Sequence, residues 1–290
     1  MGSWIDQYPV GEVPLARSSP TFRRRRLARR VRQLREEAGM TQEKAAAGLD
    51  MSTSALSRKE TGEVATSVHE IRSMMDLYDA YDPDLLDLAR AAREKPWWHA
   101  YGIRDRGYPD LETEACQVRE FTLTYIPGLF QTEYYMRTLF ETGNPGCAAS
   151  FIENAIALRS ARRELITRQD PLDYSVVIDE VVLRRPVGGA VAMRTQLLEL
   201  RQYAELPNVS IRVLPISAGA HGGMESAFCL LSYAEPGEPD VVYVEHVAGS
   251  IFSSKAHDVR RAGVVFAELL DMALESGPSI DLVERIAREL

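Results

Sequence analysis

Apolar positions follow a helical rhythm in the first third of the chain. Leu27, Val31, Leu34 and Ala38 fall at i, i+4, i+7 and i+11, one face of a helix, and Gly39 is placed to end it. Arginines at 23–26, 29, 30, 32 and 35 ride on this first amphipathic helix. They read either as a solvated face or as a basic arm for phosphates, and the stretch that follows favours phosphates. That stretch, Thr41 to Gly62, predicts a helix, a tight turn and a second helix. Thr41 can cap the first helix, and Ala46 is small where two helices must cross. Asp50 sits at the turn, where a positive φ is tolerated. Ser52 can cap the second helix, and Leu49, Met51 and Leu56 can lock the pair. What remains for solvent on that helix is Thr53, Ser54, Ser57 and Arg58, side chains that reach base edges and phosphates. This is the layout of a helix-turn-helix whose second member enters the major groove. A fourth helix follows, capped by Ser67, with Ile71, Met74, Met75 and Tyr78 on one face. Asp82-Pro83 opens a fifth carrying Leu85, Leu86, Leu88 and Ala89, and Lys95-Pro96 closes it. Residues 1–20, rich in Gly, Pro and Ser, read as a flexible tail, and 21–95 as an all-α five-helix domain.

From residue 96 to 290 the rhythm is mixed. Trp97-Trp98-His99-Ala100-Tyr101 begins the second unit. Glu112–Thr124 reads as a helix, and Pro127–Thr132 as a turn launching the helix Glu133–Glu141. Phe151–Thr167 is helical, with Ile152, Ile156, Leu158 and Leu165 apolar. Tyr174–Asp179 reads as a strand, and Pro186-Val187-Gly188-Gly189 breaks the chain. Met193–Leu206 is helical, with Leu197, Leu198, Leu200 and Tyr203. Val209–Pro215 alternates as a half-buried strand does. Phe228–Tyr233 and Val241–Glu245 add strands, Lys255–Glu275 is a long helix, and Ser279–Leu290 a short one. Alternating helix and strand runs predict an α+β domain.

Composition adds location and charge. The chain has 290 residues, 45% of them hydrophobic, which is enough for two domains with real cores. No apolar run approaches a membrane span, and the N-terminus, with Asp6 and Glu12, does not read as a secretory signal. Cys116, Cys147 and Cys229 are scattered and form no C-x-x-C pair, so a reduced, cytoplasmic protein without zinc is expected. Net charge is −8, but it is unevenly spread. Arg17 to Arg72 carries 13 Lys/Arg against 7 Asp/Glu, net +6, and residues 1–16 carry −2, which leaves −12 for 73–290. A basic module joined to an acidic body fits a DNA binder with a separate sensing or partner domain.

Leu34, Arg35, Gly39, Thr41, Gln42, Ala46, Met51, Ser52, Leu56, Ser57, Glu60 and Gly62 stand at the offsets of a known pattern. In it residues 26–90 resemble the xenobiotic-response-element (XRE) family of helix-turn-helix regulators, which are lambda-repressor-like. The resemblance implies that Gln42 and Ser52 contact phosphates and that Thr53, Ser54 and Arg58 read bases, with Ser57 beside them. It also implies that Arg35 and Glu60 form a structural pair tying the first helix to the end of the third. Three positions depart from the pattern: Ala45 replaces Leu, Asp50 replaces Gly, and Lys59 replaces an apolar residue, each thinning the motif's core. Lys59 is instead expected to point out to a phosphate. In the second half, Trp97-Trp98, PGLFQTEYY (127–135), LRRPVGG (183–189), LPNVSIRVLP (206–215), SAGAHGG (217–223) and DVVYVE (240–245) resemble the C-terminal domain of WhiJ-type actinobacterial regulators. Such regulators are typically encoded beside a small partner protein and described as antitoxin-like.

The chemistry-bearing residues of the second half predict no enzyme. His99, His221, His246 and His257 lie in no metalloprotease, nucleophile-elbow or phosphate-loop pattern. Ser217, Ser226, His221 and Glu225 cluster in sequence, but a triad is a matter of geometry. Gly219–Gly223 reads as a structural loop rather than an anion cradle. Asp179-Glu180 with Arg184-Arg185 is either a salt-bridge cluster or the lining of a polar pocket or partner surface. The paired tryptophans read as packing, and the apolar positions of 255–275 as core rather than a dimer seam. The expected partners are double-stranded DNA, a second copy of the chain and a small protein encoded beside it, with no cofactor, metal or membrane. Nucleoid association follows.

Overall fold

Local capping chemistry sets the helix boundaries of the N-terminal unit. A computed structural model describes residues 22–94, 97–102, 107–235 and 237–290. The expected tail at 1–20 and the Lys95-Pro96 stop lie outside them. The chain divides into two units on either side of the Pro96–Trp97 bond.

Five α-helices make up the described part of the first unit: α1 (Phe22–Glu37), α2 (Gln42–Gly48), α3 (Thr53–Glu60), α4 (Val68–Tyr78) and α5 (Pro83–Ala91). The Thr41 hydroxyl accepts from the Lys44 N–H at 3.3 Å, and Ser52 accepts from Ala55 at 3.2 Å. Ser67 and Glu70 form a reciprocal capping box on α4. Leu27, Val31, Leu34, Leu56, Ile71, Met74 and Leu85 fill one core, as the periodicity predicts. Ala38 does not join them. α1 ends at Glu37, and Gly39, with φ +66°, turns the chain away, leaving Ala38 exposed. The small residues of α2 let helices come close. Ala45 and Ala46 are fully buried, and a Cβ on Gly48 would meet Leu77 at 2.9 Å.

The second unit is built on a mixed six-stranded sheet in the order β3-β2-β1-β4-β5-β6. The strands are β1 (Gln117–Thr122), β2 (Asp173–Asp179), β3 (Val209–Leu214), β4 (Phe228–Ser232), β5 (Val241–His246) and β6 (Gly249–Ser253). β1, β2 and β3 run parallel; β4, β5 and β6 are antiparallel to their neighbours. The helix expected over Glu112–Thr124 is therefore wrong for most of its length. Helix α6 (Tyr108–Glu114) covers only its start, and the rest is the strand β1, inside the sheet. The other helices are α7 (Glu133–Gly143), α8 (Ala149–Arg162), α9 (Glu180–Arg184), α10 (Ala190–Tyr203), α11 (Ala256–Met272) and α12 (Ser276–Glu289). Neither α9 nor β6 is anticipated by the sequence pattern.

Sheet register sorts the side chains into two faces. Phe121 lies opposite Val177 on one side and Phe228 on the other, and these three pack with Phe266 and Leu269 of α11. A Cβ on Gly223 would come within 2.4 Å of Phe121, so the loop after β3 lies close against this face. Val118, Glu120, Val176 and Cys229 share the other face. There the Phe130 ring meets Tyr174, and the Tyr108 ring meets Tyr243.

Candidate nucleic-acid interface

The candidate interface is the outer face of α3 with the N-terminus of α2. Leu56, fully buried, anchors α3 to the core. Asp50, with φ +53°, makes the turn between the two helices. A left-handed aspartate costs about 1 kcal/mol more than glycine would; on either side of it Leu49 and Met51, partly buried, pack against the core.

Arg35 and Glu60 hold α3 from behind. Arg35 Nε donates to Glu60 Oε1 at 2.6 Å and Nη2 to Oε2 at 3.0 Å, while Nη1 donates to the Met40 carbonyl at 2.7 Å. The two side chains are 7% and 1% exposed, so the fork is nearly dry. The Glu60 hydrogen bonds hold Arg35 more firmly protonated than usual, against the opposing effect of burial. Tyr78 lies beside the pair, and burial, then the Glu60 charge, push its phenol up to about 12.

Of the expected contact residues, Ser54 and Arg58 are exposed, and Thr53 and Ser57 are half-buried on the same helix. Arg58 Nε reaches back to the Ser54 carbonyl at 3.4 Å, which leaves its guanidinium at the surface. Ser52 is exposed, caps α3 and lies 3.1 Å from the Ser54 hydroxyl. Gln42 stands at the first position of α2, but its amide nitrogen donates to Glu60 Oε2 at 2.8 Å. It is thus a third member of the buried pair before it is a phosphate ligand.

Lys59 is not where the sequence expectation puts it. It is a buried residue whose ammonium lies 2.9 Å from Glu70 and donates to the Ala65 carbonyl at 3.2 Å. It points along the back of α3 toward α4, so it does not face a phosphate with Arg58. Glu70 is the residue that sequence reasoning missed here. Its carboxyl is pushed up by burial, but the Ser67 N–H and Lys59 outweigh that and hold it below the usual range. The Ser67-x-x-Glu70 spacing is itself a capping-box signal.

The arginine face of α1 is partly engaged within the unit. Arg30 pairs with Asp82 at 3.0 Å, Arg23 with Glu94 at 3.3 Å and Arg32 with Glu36 at 2.7 Å. Such half-exposed or exposed pairs are worth about 0–1 kcal/mol, little enough for a phosphate to displace them.

In the second unit the sequence cluster around His221 does not assemble as a triad. His221 Nε2 lies 3.5 Å from Asp179, its ring meets Phe121 edge-on, and its Nδ1 has no hydrogen-bond partner among the described residues. Asp179 also caps α9 through the Val181 N–H. Glu180 pairs with Arg184 and accepts from Ile216 N–H; those bonds hold its carboxyl below the usual range despite burial. Arg184 reaches Glu289 at 3.1 Å. The Asp179–Arg184 group is therefore a brace that ties α9 to Ile216 after β3 and to Glu289 of α12. Trp97 donates to Thr113 and Trp98 is buried, both within this unit. All three cysteines are unpaired.

A polar cluster on the far side of the sheet has no sequence signal. Arg162 grips Glu112 with two bonds of 2.6 and 2.9 Å, and the Tyr174 hydroxyl donates to Glu120. Burial raises the Glu120 carboxyl to about 7, with Glu112 adding to it and Tyr174, Arg162 and Arg159 opposing. Among the described residues no three His, Cys, Asp or Glu side chains are grouped to hold a metal. Among them, too, no helix is long and apolar enough to cross a membrane.

Two family matches cover most of the molecule. Residues 26–89 match the family described as Helix-turn-helix domain, the module of DNA-binding regulators. Residues 106–285, more than half of the chain, match Domain of unknown function (DUF5753). No curated protein and no solved structure matches the chain.

Proposed function

This chain belongs to the DUF5753 family, and we propose that it is a sequence-specific transcription regulator that reads double-stranded DNA with α3 in the major groove. One observation carries the reading. Ser54 and Arg58 stand at the surface of a short helix whose back is fixed by Leu56 and by the Arg35–Glu60 fork. A rigid helix presenting a guanidinium and hydroxyls is what base-edge recognition needs. Ser52 and the α2 N-terminus beside Gln42 supply phosphate contacts, and the arginines of α1 supply long-range attraction.

A single helix-turn-helix covers too few base pairs to be selective, so the working unit is a homodimer on two half-sites about 34 Å apart. The chain is of the XRE and WhiJ type, acts in the cytoplasm on the nucleoid, and uses no catalysis. Its acidic C-terminal domain receives the signal, a ligand or a small partner protein. The net −12 of residues 73–290 also favours a second reading: an antitoxin-like protein that holds a basic partner and binds DNA mainly to regulate itself. Co-purification of a small protein encoded beside the gene supports that version.

The first test is anisotropy of labelled DNA from upstream of the gene against random duplex, with the full chain, at two salt concentrations. The upstream complex should be tighter by about a thousandfold or more, and both complexes should weaken as salt rises. Equal, salt-insensitive binding to the two would remove the proposal.

A further inference from the structure

The sheet of the second unit is only partly covered on its α11 side. Val241 and Tyr243 of β5 are buried on one face of the strand, whereas Val242 and Val244, which face α11, are half-buried. Register sets Val242 opposite Ser253 and Val244 opposite Ile251 of β6. Where α11 crosses β4 it runs close, and a Cβ on Gly263 would lie 4.0 Å from Leu230. Toward β5 and β6 the helix offers Ala262 and Val265, and the single methyl of Ala262 fills little of the space.

The result is an open groove of about 310 Å³ between β4–β6 and α11. Phe228, Val242, Val244 and Ile251 form its sheet side. Gly222 lies against α11 there, and a Cβ on it would stand 3.5 Å from Val265. Three charged side chains line the same groove: Glu225, Asp258 and Arg261. Ser253 donates to Asp258 and fixes its carboxylate. Arg261 lies 3.7 Å from Glu225 and both are largely exposed, so the pair is weak and yields to a ligand.

We propose that this groove binds a free amino acid with a large apolar side chain. Its volume lies at the small end of ligand pockets, about 300–1,000 Å³. That suits one aromatic or branched body rather than a peptide. The wall of Phe228 and β-branched residues takes the side chain, since apolar surface rimmed by polar groups marks a ligand groove. The charges select the head. An ammonium alone would meet Arg261 beside the carboxylates, and a carboxylate alone would meet Glu225 and Asp258 beside Arg261. A zwitterion answers both signs. Its carboxylate takes the Arg261 fork, and its ammonium lies toward Asp258 and Glu225. The inference deepens the proposed function, on which its biological role rests, by naming the place and class of the signal that the second unit receives.

The test is a titration of the full chain, without DNA, followed by amide chemical shifts in NMR. The probes share one body: L-phenylalanine, phenethylamine, which lacks the carboxylate, and 3-phenylpropionate, which lacks the ammonium. L-phenylalanine should saturate shifts at groove residues and bind about fivefold more tightly than either analogue. Arg261→Gln, at an exposed position, should weaken L-phenylalanine to the level of phenethylamine and leave phenethylamine unchanged. Ala262→Leu, which fills the groove, should abolish binding of all three, with circular dichroism checking that the fold is kept. No saturable shift with L-phenylalanine, an analogue that binds as tightly, or variants that bind as the wild type does would each overturn the site. The DNA reading fails separately: a chain that fills its groove but has no sequence preference for DNA contradicts the function and not the site.

Discussion

Arg35, Glu60 and Gln42 form a network that no single member can leave cheaply. Glu60 accepts from both of the others, and its side chain is almost wholly buried. Arg35→Ala strands that carboxylate, so the N-terminal unit should lose about 3–5 kcal/mol in urea unfolding. A loss below about 1 kcal/mol would mean the pair is not dry. Arg58 lies outside the network, and Arg58→Ala should leave stability unchanged while weakening operator binding by about 1–3 kcal/mol and relaxing preference at one base pair. Titrations against operators altered one pair at a time measure both effects. The sequence made Arg35, Glu60 and the α3 surface legible through their fixed offsets. It misplaced Lys59 because a lysine one turn from solvent looks exposed, and its true partners, Glu70 and the Ala65 carbonyl, lie on the following turn and helix.

At the scale of elements, the helices were legible wherever a cap and an apolar face coincided, as in α2, α3 and α4. β1 was not. Val118 and Phe121 are three apart, as on a helix, yet both are fully buried on opposite faces of a strand. The alternation is broken by Glu120, a carboxylic acid at a position that faces Tyr174. Only the sheet makes sense of it, and sheet pairing is not local information. β6 was missed because five residues of Gly, Ser, Ile and Phe after a two-residue turn give too short a pattern. The inward Glu120 has a consequence for pH. Its folded pKa, about 7, stands above the ordinary carboxylate value of 4.5, mainly through burial. The folded chain thus holds a proton that the unfolded chain has released. The contribution to stability is full below the unfolded value and is lost as pH rises through about 7. Unfolding followed between about pH 5 and about pH 8 should show a decline on the order of 2–3 kcal/mol from this group, and Glu120→Gln should flatten it. An identical slope in the variant would assign the effect elsewhere.

For the whole molecule, charge is unevenly divided along the chain. The basic segment 17–72, net +6, contains α3, while residues 73–290 carry −12, a charge that disfavours contact with DNA. This division was legible from the sequence. The central claim is sequence-specific reading by α3. It is tested most directly by selecting bound sequences from randomised duplex DNA with the full chain and with Arg58→Ala in parallel. The account predicts an enriched inverted repeat with half-site centres about 34 Å, one turn, apart. In the variant the repeat should survive with one position per half-site degenerate. No enrichment over the starting pool, or the same motif from both proteins, would contradict it.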